Sequence, residues 1–327
     1  MSQSLSSQSG SGAGQPAMPA PLAAPRRELV DGRAGRIMMY GDFAAASSHA
    51  SPPLLLVHSV NAAATAYEMK PLFEHYAGRR AVYALDLPGF GLSDRSDMIY
   101  TPRLMTDAIH AAVREVQSAH GGQPIDLVAL SLGCEFAARA ATETPNAFRS
   151  VALISPTGFD KRSARAAQKA GRGSTRAMPW LRGLLTVPLW KHGLFSGLTS
   201  RASIRFFLQK TWGSKDIDEG LLEYDYITTH QPGAENAPYC FVSGYLFSTD
   251  ALDLYRSLSM PIWMSHGVRG DFVDYSQKHV VEKLPNWSID VFQTGAMPHF
   301  ELPGPFIARY EDVLTRLAPD QARSATG

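Results

Sequence analysis

Six short stretches of the chain are apolar almost without interruption: residues 53–58, 80–87, 125–130, 151–156, 261–266 and 287–292. A strand with one wet face alternates apolar and polar residues, so continuous runs of this length mean strands buried on both faces. Glycine and proline bound them, and segments of helical spacing, such as 104–120, lie between them. The pattern predicts an α/β fold: a mostly parallel, doubly wound sheet with helices on both sides.

The third run feeds straight into a helical pattern. After Ile125-Asp126-Leu127-Val128-Ala129-Leu130 come Ser131-Leu132-Gly133 and then Phe136, Ala137 and Ala140 at helical spacing. Ser131 therefore stands at an abrupt strand-to-helix corner, with small residues at Ala129 and Gly133 to relieve crowding. This is the A-x-S-x-G form of the G-x-S-x-G nucleophile elbow. An ordinary serine helix cap would also place a hydroxyl at a helix start.

Asp86-Leu87-Pro88-Gly89-Phe90-Gly91-Leu92-Ser93-Asp94 and an elbow at the expected distance beyond it resemble the α/β-hydrolase fold superfamily. The resemblance covers roughly residues 30–156 and 259–318. It implies a core at 29–156 and 259–320 and a helical cap at 157–258 that roofs the nucleophile, with tails at 1–28 and 321–327. It also implies an oxyanion hole from the N–H of Leu132 and that of Val60 or Asn61. Ser59 stands where the family has glycine, and His58, Ser59 and His230 become candidates for the substrate pocket.

Two triad positions depart from the family pattern. His266-Gly267-Val268-Arg269-Gly270-Asp271 places Gly270 in the acid slot, with Asp271 one residue late. Gly295-Ala296-Met297-Pro298-His299 places Ala296 in the histidine slot, with His299 three residues late. In one reading Asp271 orients His299 and His299 takes the proton of Ser131. In the other, His299 is the accessory histidine that follows the catalytic one, packs beneath the cap with Glu301, and the triad is incomplete. His58 and His230 are alternative bases, and Asp160 and Asp274 reserve acids. Glu135 is expected to pack or pair, and Asp86 and Asp94 to fix a turn.

Composition changes this picture little. The 327 residues carry a net charge of +1 and are 45% hydrophobic, which suits one catalytic-sized unit with an insertion. Two cysteines, Cys134 and Cys240, imply no disulfide framework, and Cys134 reads as packing. No metal-ligand spacing and no phosphate loop occur, so the expected cofactors are none. Residues 1–27 lack apolar periodicity and a secretory h-region, and the expected location is cytoplasmic. From Lys161 to Lys215 there is no acidic residue. With the apolar segment 178–190 that basic half of the cap is either an ordinary lid packed on the pocket or a peripheral membrane contact. No nucleic-acid module is present.

The functional expectation is a serine hydrolase acting on a carboxylic ester with a bulky apolar part, through an acyl-enzyme on Ser131. A C–C bond hydrolase is a close variant. The alternatives are a non-catalytic, ligand-binding member of the fold and a proton-transfer enzyme that uses Ser131 without a standard triad.

Overall fold

A computed structural model describes residues 18–43, 51–161, 163, 165, 171 and 173–317. Residues 1–17 of the expected N-terminal tail, all of the expected tail at 321–327, and Arg162, Lys169 and Arg172 of the basic segment lie outside the described residues.

Eight strands form one sheet: β1 (Arg26–Asp31), β2 (Gly35–Gly41), β3 (Leu54–Val57), β4 (Val82–Asp86), β5 (Ile125–Leu130), β6 (Phe148–Ile154), β7 (Ile262–His266) and β8 (Trp287–Val291). Their spatial order is β1-β2-β4-β3-β5-β6-β7-β8; β2 is antiparallel to both neighbours, and β4 through β8 run parallel. The continuous apolar runs are explained by two cores. Leu55, Val57, Leu127, Ala129, Val151 and Leu153 face one. Leu54, Leu56, Val128, Leu130, Ala152 and Ile154 face the other. Successive residues of a strand point to opposite faces, so both faces must be covered.

Helices α1 (Lys70–Tyr76), α2 (Pro102–Ala119) and α3 (Gly133–Glu143) follow β3, β4 and β5. Between β6 and β7 lies the helical insertion: α4 (Pro179–Leu185), α5 (Lys191–Leu198), α6 (Arg201–Trp212), α7 (Glu219–Thr229), α8 (Asn236–Val242) and α9 (Ala251–Ser257). Three more helices, α10 (His279–Glu282), α11 (Pro298–Glu301) and α12 (Pro303–Leu317), complete the described chain.

Part of the expected N-terminal tail is packed on the core. Met18 and Leu22 are buried, Pro19 accepts a hydrogen bond from the Tyr224 hydroxyl at 2.8 Å, and β1 opens at Arg26, inside the expected tail. No described helix is long and apolar enough to cross a membrane.

Within the insertion the charges read as separate blocks in sequence are interleaved in space. Arg205 of α6 pairs with Glu219 of α7 at 2.6 Å, Arg201 pairs with Glu223, and Lys191 lies 3.5 Å from Glu235. A face with large unpartnered apolar side chains remains. Leu189 is 86% exposed and Trp180 70%, with Leu184, Trp190, Leu194 and Leu198 beside them in sequence and also exposed.

Candidate functional site

Ser131 sits where the strand-to-helix corner was expected and adopts φ 53°, in the left-handed region. Among the described non-glycine residues only Ser155, at the end of the neighbouring β6 (φ 46°), shares this conformation. A Cβ in left-handed backbone is strained by about 1–2 kcal/mol, so the corner is held by its surroundings. The Ser131 N–H donates to the Ile154 carbonyl at 2.8 Å. Gly133 opens α3, and a Cβ there would stand 2.3 Å from the His58 carbonyl oxygen. Glycine is therefore required for the elbow to press against the loop after β3.

That loop is tied down by Glu68. Its carboxylate accepts from the Ser59 N–H (2.8 Å), the Ser59 hydroxyl (2.9 Å) and the Asn61 amide (2.9 Å). Asn61 Oδ1 takes the Ala63 N–H at 2.7 Å. The side chains of Ser59 and Asn61 are thus committed to the loop itself, a correction to the pocket role expected for Ser59. Val60 and Leu132 are buried, and neither backbone N–H has an acceptor among the described residues. Two idle buried donors are what an oxyanion site requires.

Other expected residues fall in structural positions. His58 is fully buried; its Nε2 accepts from the Leu87 N–H at 2.9 Å, so Nδ1–H points to the Ser59 carbonyl. Burial lowers its pKa. It clamps the loop to the end of β4 and is neither a base nor part of a pocket. His230 is on the surface, with Nδ1 2.7 Å from the Tyr226 carbonyl, and does not line a pocket with Ser131. Glu135, pushed up to about 6 by burial, accepts from the Thr157 hydroxyl at 2.6 Å and the Ser248 N–H at 2.9 Å, joining core to insertion. Asp86 binds the Tyr40 hydroxyl, Ala66 N–H and Leu92 N–H at 2.6–2.9 Å, and Asp94 holds Arg36 at 2.9–3.1 Å; both fix the turn as expected. The reserve acids Asp160 and Asp274 bond locally, to Ser163 and Ser276. Cys134 is buried and its thiol pushed far up by desolvation, as suits packing.

The displaced triad is not assembled. His299 is fully buried, with Nε2 donating to the Glu68 carbonyl at 2.8 Å, and burial lowers its pKa to about 4. Asp271 is exposed and pairs with Lys210 at 3.0 Å instead of a histidine. Glu301, expected beside His299, accepts from the Gly295 N–H at 2.6 Å and pairs with Arg269. Among the described residues no side chain is hydrogen-bonded to the Ser131 hydroxyl. Ser131 lines neither the cavity of about 160 Å³ beside Phe73 and Arg80 nor that of about 220 Å³ beside Gly91 and Arg95.

The loops that hold Gly270 and Ala296 share one neighbour. The last turn of α6 lies against both slots. The Thr211 carbonyl accepts the Ala296 N–H at 2.8 Å and the Lys210 carbonyl the Asp271 N–H at 3.2 Å. A Cβ on Gly270 would lie 2.4 Å from the Lys210 oxygen, and one on Gly295 2.3 Å from that of Thr211. Gly213 ends α6 in left-handed backbone, where a Cβ would stand 2.4 Å from the Gly270 nitrogen. Glycine at 270 and at 295, beside Ala296, leaves room for the helix end.

Sequence reasoning missed this socket, together with Glu68, Asp225 and His266. His266 ends β7, stacks on Tyr275 at 4.0 Å, and has Lys278 Nζ 3.4 Å from its Nε2. It was visible only as the start of the acid-slot motif. Among the described residues no group of three or more His, Cys, Asp or Glu side chains could hold a metal ion.

A parallel sheet with its strained serine at the β5–α3 corner and a helical insertion after β6 defines the α/β-hydrolase architecture. The alpha/beta hydrolase family model matches residues 54–309, and the chain belongs to that family. Solved structures share the fold at low identity. A serine hydrolase involved in carbazole degradation aligns at 13% identity and TM-score 0.67, over 90% of this chain and 100% of its own. The 2-hydroxy-6-oxo-6-phenylhexa-2,4-dienoate hydrolase of Rhodococcus sp. strain RHA1 aligns at 15% and 0.64, over 89% and 99%. A Bacillus subtilis carboxylesterase aligns at 15% and 0.60, over 90% and 93%. No curated protein matches the sequence.

Proposed function

We propose that the protein binds a small carbonyl or carboxylate compound at the Ser131 elbow, under a helical cap, without the acyl-enzyme turnover of a Ser-His-Asp hydrolase. The observation that carries this reading is the seating of the α6 carbonyls of Lys210 and Thr211 on the backbone N–H groups of Asp271 and Ala296, at or next to the positions from which the resemblance expects an acid and a histidine to reach Ser131. The donors for a carbonyl or carboxylate oxygen are the Val60 and Leu132 N–H groups, and Ser131 adds its hydroxyl. A serine hydroxyl without a base is a poor nucleophile, so binding outlasts chemistry.

The second reading is hydrolysis of a carboxylic ester with a bulky apolar part, or of a C–C bond, through an acyl-enzyme on Ser131. One observation favours it: a serine is kept in left-handed backbone at the elbow, where glycine would be unstrained. A fluorophosphonate probe separates the two. Binding alone predicts no Ser131-dependent label and ester turnover no faster than in Ser131→Ala. Stoichiometric labelling lost in Ser131→Ala, with turnover of a p-nitrophenyl ester, would establish the hydrolase instead.

A further inference from the structure

Helix α7 crosses the 3-10 turn Ala66–Met69 that follows the oxyanion loop. Tyr224 stacks on Tyr67 with ring centres 5.0 Å apart, and a Cβ on Gly220 would lie 2.5 Å from the Tyr67 hydroxyl. The next residues on the two elements are Asp225 and Glu68, and both are buried. Glu68 spends its oxygens on Ser59 and Asn61. Asp225 is only 6% exposed, yet among the described residues no donor reaches its carboxyl group. Its one charged neighbour is another carboxyl, that of Glu68.

A largely buried carboxyl group without a protein donor and beside a like group is an unfavourable placement. The protein's own cations do not relieve it. Arg95 gives its guanidinium to the Gly91 carbonyl and to the carbonyl and hydroxyl of Thr228, while Lys70 lies over the Tyr67 ring and 3.8 Å from Glu74. Two carboxyl groups without a third ligand do not make a metal site. The free oxygens of Asp225 do suit an ammonium group, which offers several N–H donors and a positive charge.

We propose that Asp225, beside Glu68, forms a subsite for the amine of a ligand whose carbonyl or carboxylate is held at Ser131. This rests on the reading of Ser131 given above and narrows the ligand class to amino-acid-like compounds. The link between the subsites is short: the Ser59 N–H donates to the Glu68 carboxyl at 2.8 Å, and the next residue, Val60, carries an oxyanion donor.

Calorimetric titration with three probes tests it: L-phenylalaninamide (amine and carbonyl), 3-phenylpropanamide (carbonyl only) and phenethylamine (amine only). The wild-type protein is expected to bind phenylalaninamide at least tenfold more tightly than 3-phenylpropanamide. Asp225→Asn should remove that preference and Asp225→Glu should keep most of it. Equal wild-type affinities, a preference that survives Asp225→Asn, or no binding of any probe would overturn the subsite, and the wild-type comparison stands even where a variant fails to fold. Tight, Asp225-dependent binding of phenethylamine with no gain from the added carbonyl would uphold the amine subsite while removing the carbonyl site. Binding of 3-phenylpropanamide as tight as that of phenylalaninamide would do the reverse.

Discussion

Two buried aspartates sit at opposite sides of the same molecule. Asp126, at the start of β5, is fully buried and saturated: Arg149 Nε and the Ser150 hydroxyl reach one oxygen at 2.9 and 2.5 Å, and Arg80 and Arg149 reach the other at 2.6 and 2.5 Å. Asp225, in the insertion, is nearly as buried and has no donor among the described residues. The first carboxylate has every charge answered from within the chain, so its role is to hold β5, β6 and the turn before β4 together. The second is answered by nothing the chain supplies, which makes it a place for something else to bind. Burial alone does not separate structure from function; the partner does.

The largest expected effect follows from the saturated group. Asp126→Ala leaves two guanidinium groups without their shared carboxylate, and should cost about 3–5 kcal/mol in urea unfolding. Asp225→Asn removes a like charge from beside Glu68 and should leave stability within about 1 kcal/mol of the parent or raise it. Comparable losses in the two variants would break the contrast.

The next effect is one of pH. Burial pushes the Glu68 carboxyl from 4.5 up to about 7, with its three hydrogen bonds pulling the other way. The native state therefore holds a proton that the unfolded chain has already released. That contribution is fully present below the unfolded pKa and is lost as the pH rises to about 7. The loss amounts to roughly 3 kcal/mol, and Asp225, also raised by burial and by Glu68, acts in the same direction. In Glu68→Gln the part of the slope due to Glu68 should disappear, so the stability difference between wild type and variant should shift steadily from pH 5 to pH 7. A pH-independent difference would mean that Glu68 is ionised throughout.

Much of the core was legible because each of its signals is local. Both faces of the sheet are covered, so the strands read as continuous apolar runs, and the elbow shows as a strand meeting a helix at a small-residue corner. Asp225 and Glu68 were not legible, since they meet only because α7 lies across a turn far away in sequence. Gly270 and Ala296 could be read at the expected acid and histidine positions, but not what packs beside them, because the α6 end that lies there belongs to the insertion. His299 likewise bonds a carbonyl 231 residues away. The basic and acidic halves of the insertion looked like separate blocks, and packing α6 on α7 paired them.

A third test asks whether the socket is a lost triad that can be refilled. Gly270 has φ +87° and Lys210 O where a Cβ would go. Gly270→Asp with Ala296→His is therefore expected to destabilise by about 1–3 kcal/mol through overpacking and strain. It should gain no turnover of p-nitrophenyl butyrate. A stable double variant with new esterase activity would show that the helix end yields and that the slots retain their catalytic geometry.

The smallest effect concerns the exposed face of α4 and α5, where the same distinction between answered and unanswered groups applies. The bases Arg201, Arg205, Lys210 and Lys191 all have acidic partners, whereas Trp180 and Leu189 project with most of their surface uncovered. A membrane contact here would then draw on apolar insertion and only weakly on charge. Sedimentation with phosphatidylcholine vesicles, with and without phosphatidylserine, is expected to show weak binding that changes less than about threefold with the anionic lipid. Trp180→Ser with Leu189→Ser should abolish it. Strong dependence on phosphatidylserine would mean that the ion pairs open at a charged surface, and binding unaffected by the double substitution would place the contact elsewhere.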